Sequence, residues 1–158
     1  MNNDIKATDS VPYLDRFDLA RFLAAQDEVY PRALGEIRAG RKQSHWMWFV
    51  FPQPIGLGTS ATARHYAIRS VAEAHAYLAH PTLGHRLREC TETLLRVRGR
   101  SASEIFGCPD DVKLRSSMTL FASVAEEGSV FEQVLEHHFG GKPDPLTLKF
   151  IDQDAAPR

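Results

Sequence analysis

The sequence predicts an all-α fold, a single compact domain of about seven to nine helices, several of them short. Three observations carry that prediction. Apolar residues recur at steps of three and four, most clearly at Leu83, Leu87, Cys90, Leu94 and Val97. Capping-box signatures open three segments, Ser70-Val71-Ala72-Glu73, Ser101-Ala102-Ser103-Glu104 and Ser129-Val130-Phe131-Glu132. No Asn-Gly or Asp-Gly hairpin turn appears between them. With 158 residues, 43% hydrophobic and 25% charged, the chain has enough apolar material to bury a core without disulfide staples.

The elements follow in order. Residues 1–14 are polar and without period, and read as a flexible leader; 15–151 form the domain, and 152–158 a C-terminal tail. Leu19, Phe22, Leu23, Val29, Leu34 and Ile37 recur at helical spacing, and Pro31 divides them into two helices or one kinked helix. Gly40 ends this stretch, with Arg38 and Arg41 suited to the negative end of the helix dipole. Ser44 is a candidate N-cap for the apolar run Trp46-Met47-Trp48-Phe49-Val50-Phe51, which is apolar on every side, so period does not separate a short buried helix from a strand. Both tryptophans lie here, and the four aromatic side chains make the run the expected brace of the core. Ser60 caps a short helix through about 66–68, Ser70 opens another, and Pro81 starts the helix bearing Leu83 to Val97. A short helix ends at Gly107. Pro109-Asp110-Asp111 begins one with an inner stripe of Leu114, Met118, Phe121 and Ala125. Ser129 caps a helix that stops at Gly140-Gly141, and Asp144-Pro145 starts a last short helix carrying Leu146 and Leu148.

A net charge of −1 excludes a global pull toward nucleic acid or an acidic membrane. Two distant cysteines, Cys90 and Cys108, fit reduced thiols, and no targeting or membrane-spanning run is evident, so a cytoplasmic location is expected. The histidines show no metal-binding spacing; no metal and no cofactor are expected.

Ser44-His45-Trp46-Met47-Trp48-Phe49-Val50-Phe51-Pro52-Gln53, Gly56-Leu57-Gly58 and Lys113-Leu114-Arg115-Ser116-Ser117-Met118-Thr119-Leu120-Phe121 resemble the small bacterial proteins grouped as domain of unknown function 1810. The resemblance runs from about Phe17 to Phe150 and implies a mainly helical fold without an established activity. A calpastatin label sometimes given to these proteins has no counterpart in this repeat-free sequence. The chain also resembles, more distantly, the NADAR proteins acting on ADP-ribose-type N-glycosides; Arg64-His65-Tyr66 stands where those often carry Glu-His-Tyr, and the acid is missing.

Three constellations bear on function. The Gly56-Leu57-Gly58-Thr59-Ser60 turn, opening a helix that carries Arg64, suits a phosphate or carboxylate; it equally suits a tight turn before a capped helix. Around the aromatic brace, Arg41 and Lys42 suit a phosphate, Trp46 or Trp48 a stacked ring, Gln53 its polar edge and His45 proton transfer. The alternative is a filled core with polar groups bonded to backbone. In Lys113-Leu114-Arg115-Ser116-Ser117, a lysine three residues from a serine suits a Ser–Lys dyad or a phosphate contact, with Ser117 alongside; the alternative is hydroxyls back-bonded to helix carbonyls.

Together these give the expected function: binding of a small, planar, phosphorylated, anionic ligand, a nucleotide or ADP-ribose derivative. Hydrolysis or transfer at an N-glycosidic or phosphate bond is the enzymatic version. The expected catalytic groups are His45, Lys113 and Ser116; the expected ligand contacts are Arg41, Lys42, Trp46, Trp48, Gln53, Gly58, Arg64 and Ser117. The rival is a protein-interaction or homodimer module using the helices around 83–97 and 129–139.

Overall fold

The structure, a computed structural model, describes residues 15–155; the leader 1–14 and residues 156–158 lie outside the described residues. Among the described residues ten helices follow one another: α1 (Ala20–Gln26), α2 (Tyr30–Arg38), α3 (Met47–Val50), α4 (Ala61–His65), α5 (Val71–Ala79), α6 (Pro81–Arg96), α7 (Ala102–Phe106), α8 (Asp110–Ala122), α9 (Val130–Phe139) and α10 (Pro145–Ala155). Among the described residues there is no sheet, only an isolated parallel bridge between Pro54 and Ile68. The fold class is as the sequence predicts. The last helix is longer than expected, running through Asp152–Ala155, where a tail was expected.

The caps explain most boundaries. Pro31 sits in the first turn of α2, where its missing N–H leaves no gap in the helix ladder. Ser60, Ser70, Ser101 and Ser129 each accept from a backbone N–H three residues on. Only Ser101–Glu104 closes as a reciprocal capping box. Glu73 turns away to Arg69 N and Arg21, and Glu132 accepts from Gly128 N. His80 caps α6 through Nδ1, at 3.1 and 3.2 Å from the N–H groups of Thr82 and Leu83. Asp144 Oδ2 takes the N–H of Thr147 at the start of α10. Ser44, by contrast, caps nothing: α3 starts at Met47 with Trp46 at the N-cap and no side-chain cap.

Helix α8 is the axis of the molecule. Leu114, Met118 and Phe121 are buried as the stripe predicts, but so are Ser116, Ser117, Thr119 and Leu120 on its other sides. Helices α5, α7, α9 and α10 pack around it. Its small hydroxylated side chains fill less volume than leucines would and let those neighbours approach. Helix α6 packs across α2, α5 and α9, with Leu83, Leu87, Cys90 and Leu94 facing inward. The apolar stripe of α6 is therefore filled from within, as are Phe131, Val134 and Leu135 on α9.

The aromatic run is one helical turn, Met47–Val50. Trp46, Phe51 and Phe106 form one aromatic cluster, with centroids 6.0 to 6.3 Å apart. Phe22, Tyr77, Phe121 and Phe131 continue as a second row across α1, α5, α8 and α9. Between α1 and the loop before α5, the buried Arg21 spends all five N–H donors: on the carbonyls of Phe17, Asp18, His65 and Ala67, and on Glu73 at 2.7 Å. Nothing in the local sequence marks this buried ion pair, since its members are 52 residues apart. No helix among the described residues is long and apolar enough to cross a membrane.

Candidate functional site

A cleft of about 390 Å³ opens where three separated segments meet. The loop after α3 supplies Gln53 and Gly58, the first two turns of α8 supply Lys113 and Ser116, and the start of α10 supplies Asp144. Four of the sequence-expected site residues, Gln53, Gly58, Lys113 and Ser116, thus line one concavity. Val112 and Leu146 line it too, at 54% and 60% exposure, two of the few exposed large apolar side chains among the described residues.

Each wall has a local cause. Gly56 turns the loop with φ +97°, a left-handed conformation that favours glycine. Gly58 is required for a different reason: a Cβ there would lie 2.5 Å from the Ala63 Cβ, so the loop seats directly against α4. The α4 N-terminus is occupied by its own cap, Ser60 accepting from Ala63 N at 3.0 Å. Arg64 is exposed and folds back to donate to the Thr59 carbonyl. Gly107 (φ +75°) ends α7 and lets the chain enter α8 through Pro109.

Lys113 lines the cleft, its Nζ 5.4 Å from the Trp48 ring centroid and 3.6 Å from Asp110 Oδ1. At the floor Ser116 Oγ and Thr147 Oγ1 are 2.8 Å apart, and Thr147 Oγ1 donates to Asp144 Oδ2 at 2.6 Å. Asp144 N donates in turn to Thr119 Oγ1. Arg115 holds the preceding loop by donating to the carbonyls of Lys142 and Pro143. The expected Ser–Lys dyad is not formed: Lys113 and Ser116 share the cleft, and the hydroxyl's partner is Thr147.

The remaining expected residues lie elsewhere. Trp46 is fully buried and its Nε1 donates to Glu36 Oε1 at 2.8 Å, so it offers no face for stacking. Lys42 lies over the Trp46 ring, donating to the Ser44 carbonyl at 2.7 Å and pairing with Asp110 at 2.8 Å. Glu36 collects Gln43 N, Ser44 N, Ser44 Oγ and Trp46 Nε1. Burial opposes its ionisation, but these donors outweigh it and hold the carboxyl down at about 2. Arg41 is exposed and lines a separate, more open hollow beside Arg32 and Arg100. His45 is exposed and outside the cleft lining. Ser117 is buried in α8 with its hydroxyl unpartnered.

The sequence model of a family described as "Protein of unknown function (DUF1810)" matches residues 16–151. The chain belongs to the DUF1810 family. Its fold is similar to the crystal structure of the conserved hypothetical protein Rv1873 from Mycobacterium tuberculosis, with 52% identity and a TM-score of 0.84 over 86% of this chain and 97% of that one. No curated protein matches.

Within this DUF1810 chain, sequence reasoning missed Asp144 and Thr147 as site residues. The Asp144-Pro145 pair reads as a helix start, and Asp144 does cap α10. That role engages only Oδ2. Its Oδ1 has no hydrogen-bond partner among the described residues, and no cation there lies within ion-pair distance. A residue only 8% exposed that lines a cleft with one carboxylate oxygen lacking a partner among the described residues is a signal that only three-dimensional placement reveals. Among the described residues no three His, Cys, Asp or Glu side chains group as a metal site.

Proposed function

We propose that the cleft between the Gly58 loop, α8 and α10 binds a small, planar, phosphorylated ligand, a nucleotide or ADP-ribose derivative. Hydrolysis or transfer at its N-glycosidic or phosphate bond is the associated chemistry. The observation that carries the reading is the convergence of Lys113, Ser116, Gln53 and Asp144, whose Oδ1 has no partner among the described residues, on one concavity with apolar lips. Lys113 would take the anion. Val112, Leu146 and Leu57 would flank a flat ring, in place of the sealed Trp46. The proton-transfer role that the sequence suggests for His45 passes to Asp144, which lines the cleft where His45 does not.

Tryptophan fluorescence tests this directly, because an anion that draws Lys113 away from Trp48 changes that ring's surroundings. Titration with ADP-ribose and adenosine 5′-monophosphate is expected to give a saturable change, with base or phosphate release followed in parallel. Lys113→Ala and Asp144→Asn should abolish it, while Arg41→Ala and His45→Ala, outside the cleft, should not. Absence of any saturable binder, or binding indifferent to Lys113, would overturn the reading.

A further inference from the structure

The direction of the hydrogen bonds at the cleft floor restricts what can bind there. Thr147 has one hydroxyl proton, and it goes to Asp144 Oδ2 at 2.6 Å, because a carboxylate only accepts. The 2.8 Å contact between Thr147 Oγ1 and Ser116 Oγ therefore needs its proton from Ser116. Ser116 is left with lone pairs alone, and Asp144 Oδ1, on a residue lining the same cleft, is likewise an acceptor without a partner among the described residues. Ser116 and Thr147 are 1% and 0% exposed, and the peptide N–H of Thr147 also binds Asp144 Oδ2, so the chain has little freedom to reverse. Lys113, three residues before Ser116 on α8, lines the same cleft and carries its cation.

Resting on the cleft reading above, we infer that the floor is an acceptor-only surface that selects ligands presenting hydroxyl donors: a phosphorylated sugar with free vicinal hydroxyls, bound hydroxyls-down on Ser116 and Asp144 with its phosphate toward Lys113. A phosphate is refused at the floor, because its oxygens would face lone pairs and a carboxylate with no donor between them. Thr147 touches no ligand in this arrangement. It is a positioning residue that fixes which way Ser116 points.

The probes are adenosine 5′-monophosphate, its 2′,3′-dideoxy form and inorganic phosphate, titrated calorimetrically into the full chain. The ribose form is expected to bind at least about tenfold more tightly than the dideoxy form, the ratio that follows from losing hydroxyl donors to a carboxylate oxygen and a hydroxyl. Thr147→Val frees the Ser116 proton to turn into the cleft, and should shrink that ratio to about threefold or less while phosphate dependence on Lys113 persists. Thr147→Ser keeps the relay and should keep the ratio; circular dichroism checks that both variants fold. Equal affinity for the two nucleotides with Lys113-dependent binding, or an undiminished ratio in a folded Thr147→Val, overturns the inference and leaves the cleft reading standing. No binding of either nucleotide overturns both.

Discussion

Two lysines reach the two oxygens of the same carboxylate, each over a tryptophan ring. Lys42 lies 5.0 Å from the Trp46 ring centroid and 2.8 Å from Asp110; Lys113 lies 5.4 Å from that of Trp48 and 3.6 Å from Asp110. The residue types are the same and the outcomes differ. Lys42 is 8% exposed and has a second partner in the Ser44 carbonyl, while Lys113 is 24% exposed and faces a cleft. On the Trp46 side the indole N–H and the Glu36 carboxylate are also partnered. On the Lys113 side Asp144 Oδ1 has no partner among the described residues. A tryptophan, a cation and a carboxylate thus make a brace where their bonding capacity is exhausted inside the chain. They make a candidate site where some of it is left over in a concavity.

The largest expected effect comes from breaking the closed side. Trp46→Ala should destabilise by about 3–5 kcal/mol, since a fully buried indole and its hydrogen bond to Glu36 are lost together. Trp48→Ala, at a half-buried position, should cost about 1–2 kcal/mol. Urea midpoints of the two variants check the asymmetry, and equal losses would show that both sides brace the fold. Asp110→Ala comes next. It strands the nearly buried Lys42 with a single carbonyl partner, at a cost of about 1–3 kcal/mol. In a Lys42→Met background, where no charge is stranded, the same change should cost well under half as much, which a double-mutant cycle measures.

The same asymmetry explains what was legible in the sequence. Helix existence was readable, because caps such as Ser60, Ser70 and Ser101 act on N–H groups three residues away. The convergence of Gln53, Gly58, Lys113 and Ser116 was readable in part, because each lies at a loop or helix start with its own local signature. The Arg21–Glu73 pair and the Ser116–Thr147–Asp144 chain were not, since their partners are 52 and 31 residues apart and each has a plausible local role. Nor did local spacing distinguish Lys42 from Lys113. Satisfaction of a charge is a property of everything packed around it, and the motif around Trp46 looked most like a pocket because it carries the most polar groups. Of these, Lys42 and the Trp46 indole N–H are taken up inside the chain, by Ser44 and Asp110 and by Glu36.

A smaller, pH-dependent effect isolates the closed side again. The Glu36 carboxyl is held at about 2 against an ordinary 4.5, so its contribution to stability is complete above about 4.5 and fades as pH falls toward about 2. Glu36→Gln removes that titration. The wild-type minus variant difference in unfolding free energy should therefore shrink through that acid window and stay flat between pH 5 and 8. A difference that grows on acidification would mean that the donors from Gln43, Ser44 and Trp46 do not favour the ionised form.

The smallest expected change in stability belongs to the open side, and is the most informative for that reason. Lys113 pairs with Asp110 at 3.6 Å, but Asp110 keeps Lys42 when Lys113 is removed, so no buried charge is stranded. Its remaining contact is with the face of a half-buried tryptophan. Lys113→Ala should then shift unfolding free energy by no more than about 0.5 kcal/mol, the usual range for a surface position, while abolishing anion binding in the cleft. Lys42→Ala should do the reverse, lowering stability without touching the cleft, because Lys42 is not among the residues that line it. Thermal denaturation with and without adenosine 5′-monophosphate reads both quantities in one experiment: ligand raises the midpoint of a protein only where it binds the folded state in preference to the unfolded one. If Lys113→Ala unfolds the chain as readily as Lys42→Ala does, the two lysines are equivalent braces and the cleft has lost its only lysine contact to structure. If instead the midpoint shift vanishes in the stable Lys113 variant and survives in the weakened Lys42 variant, the division between a closed and an open tryptophan–lysine pair is functional.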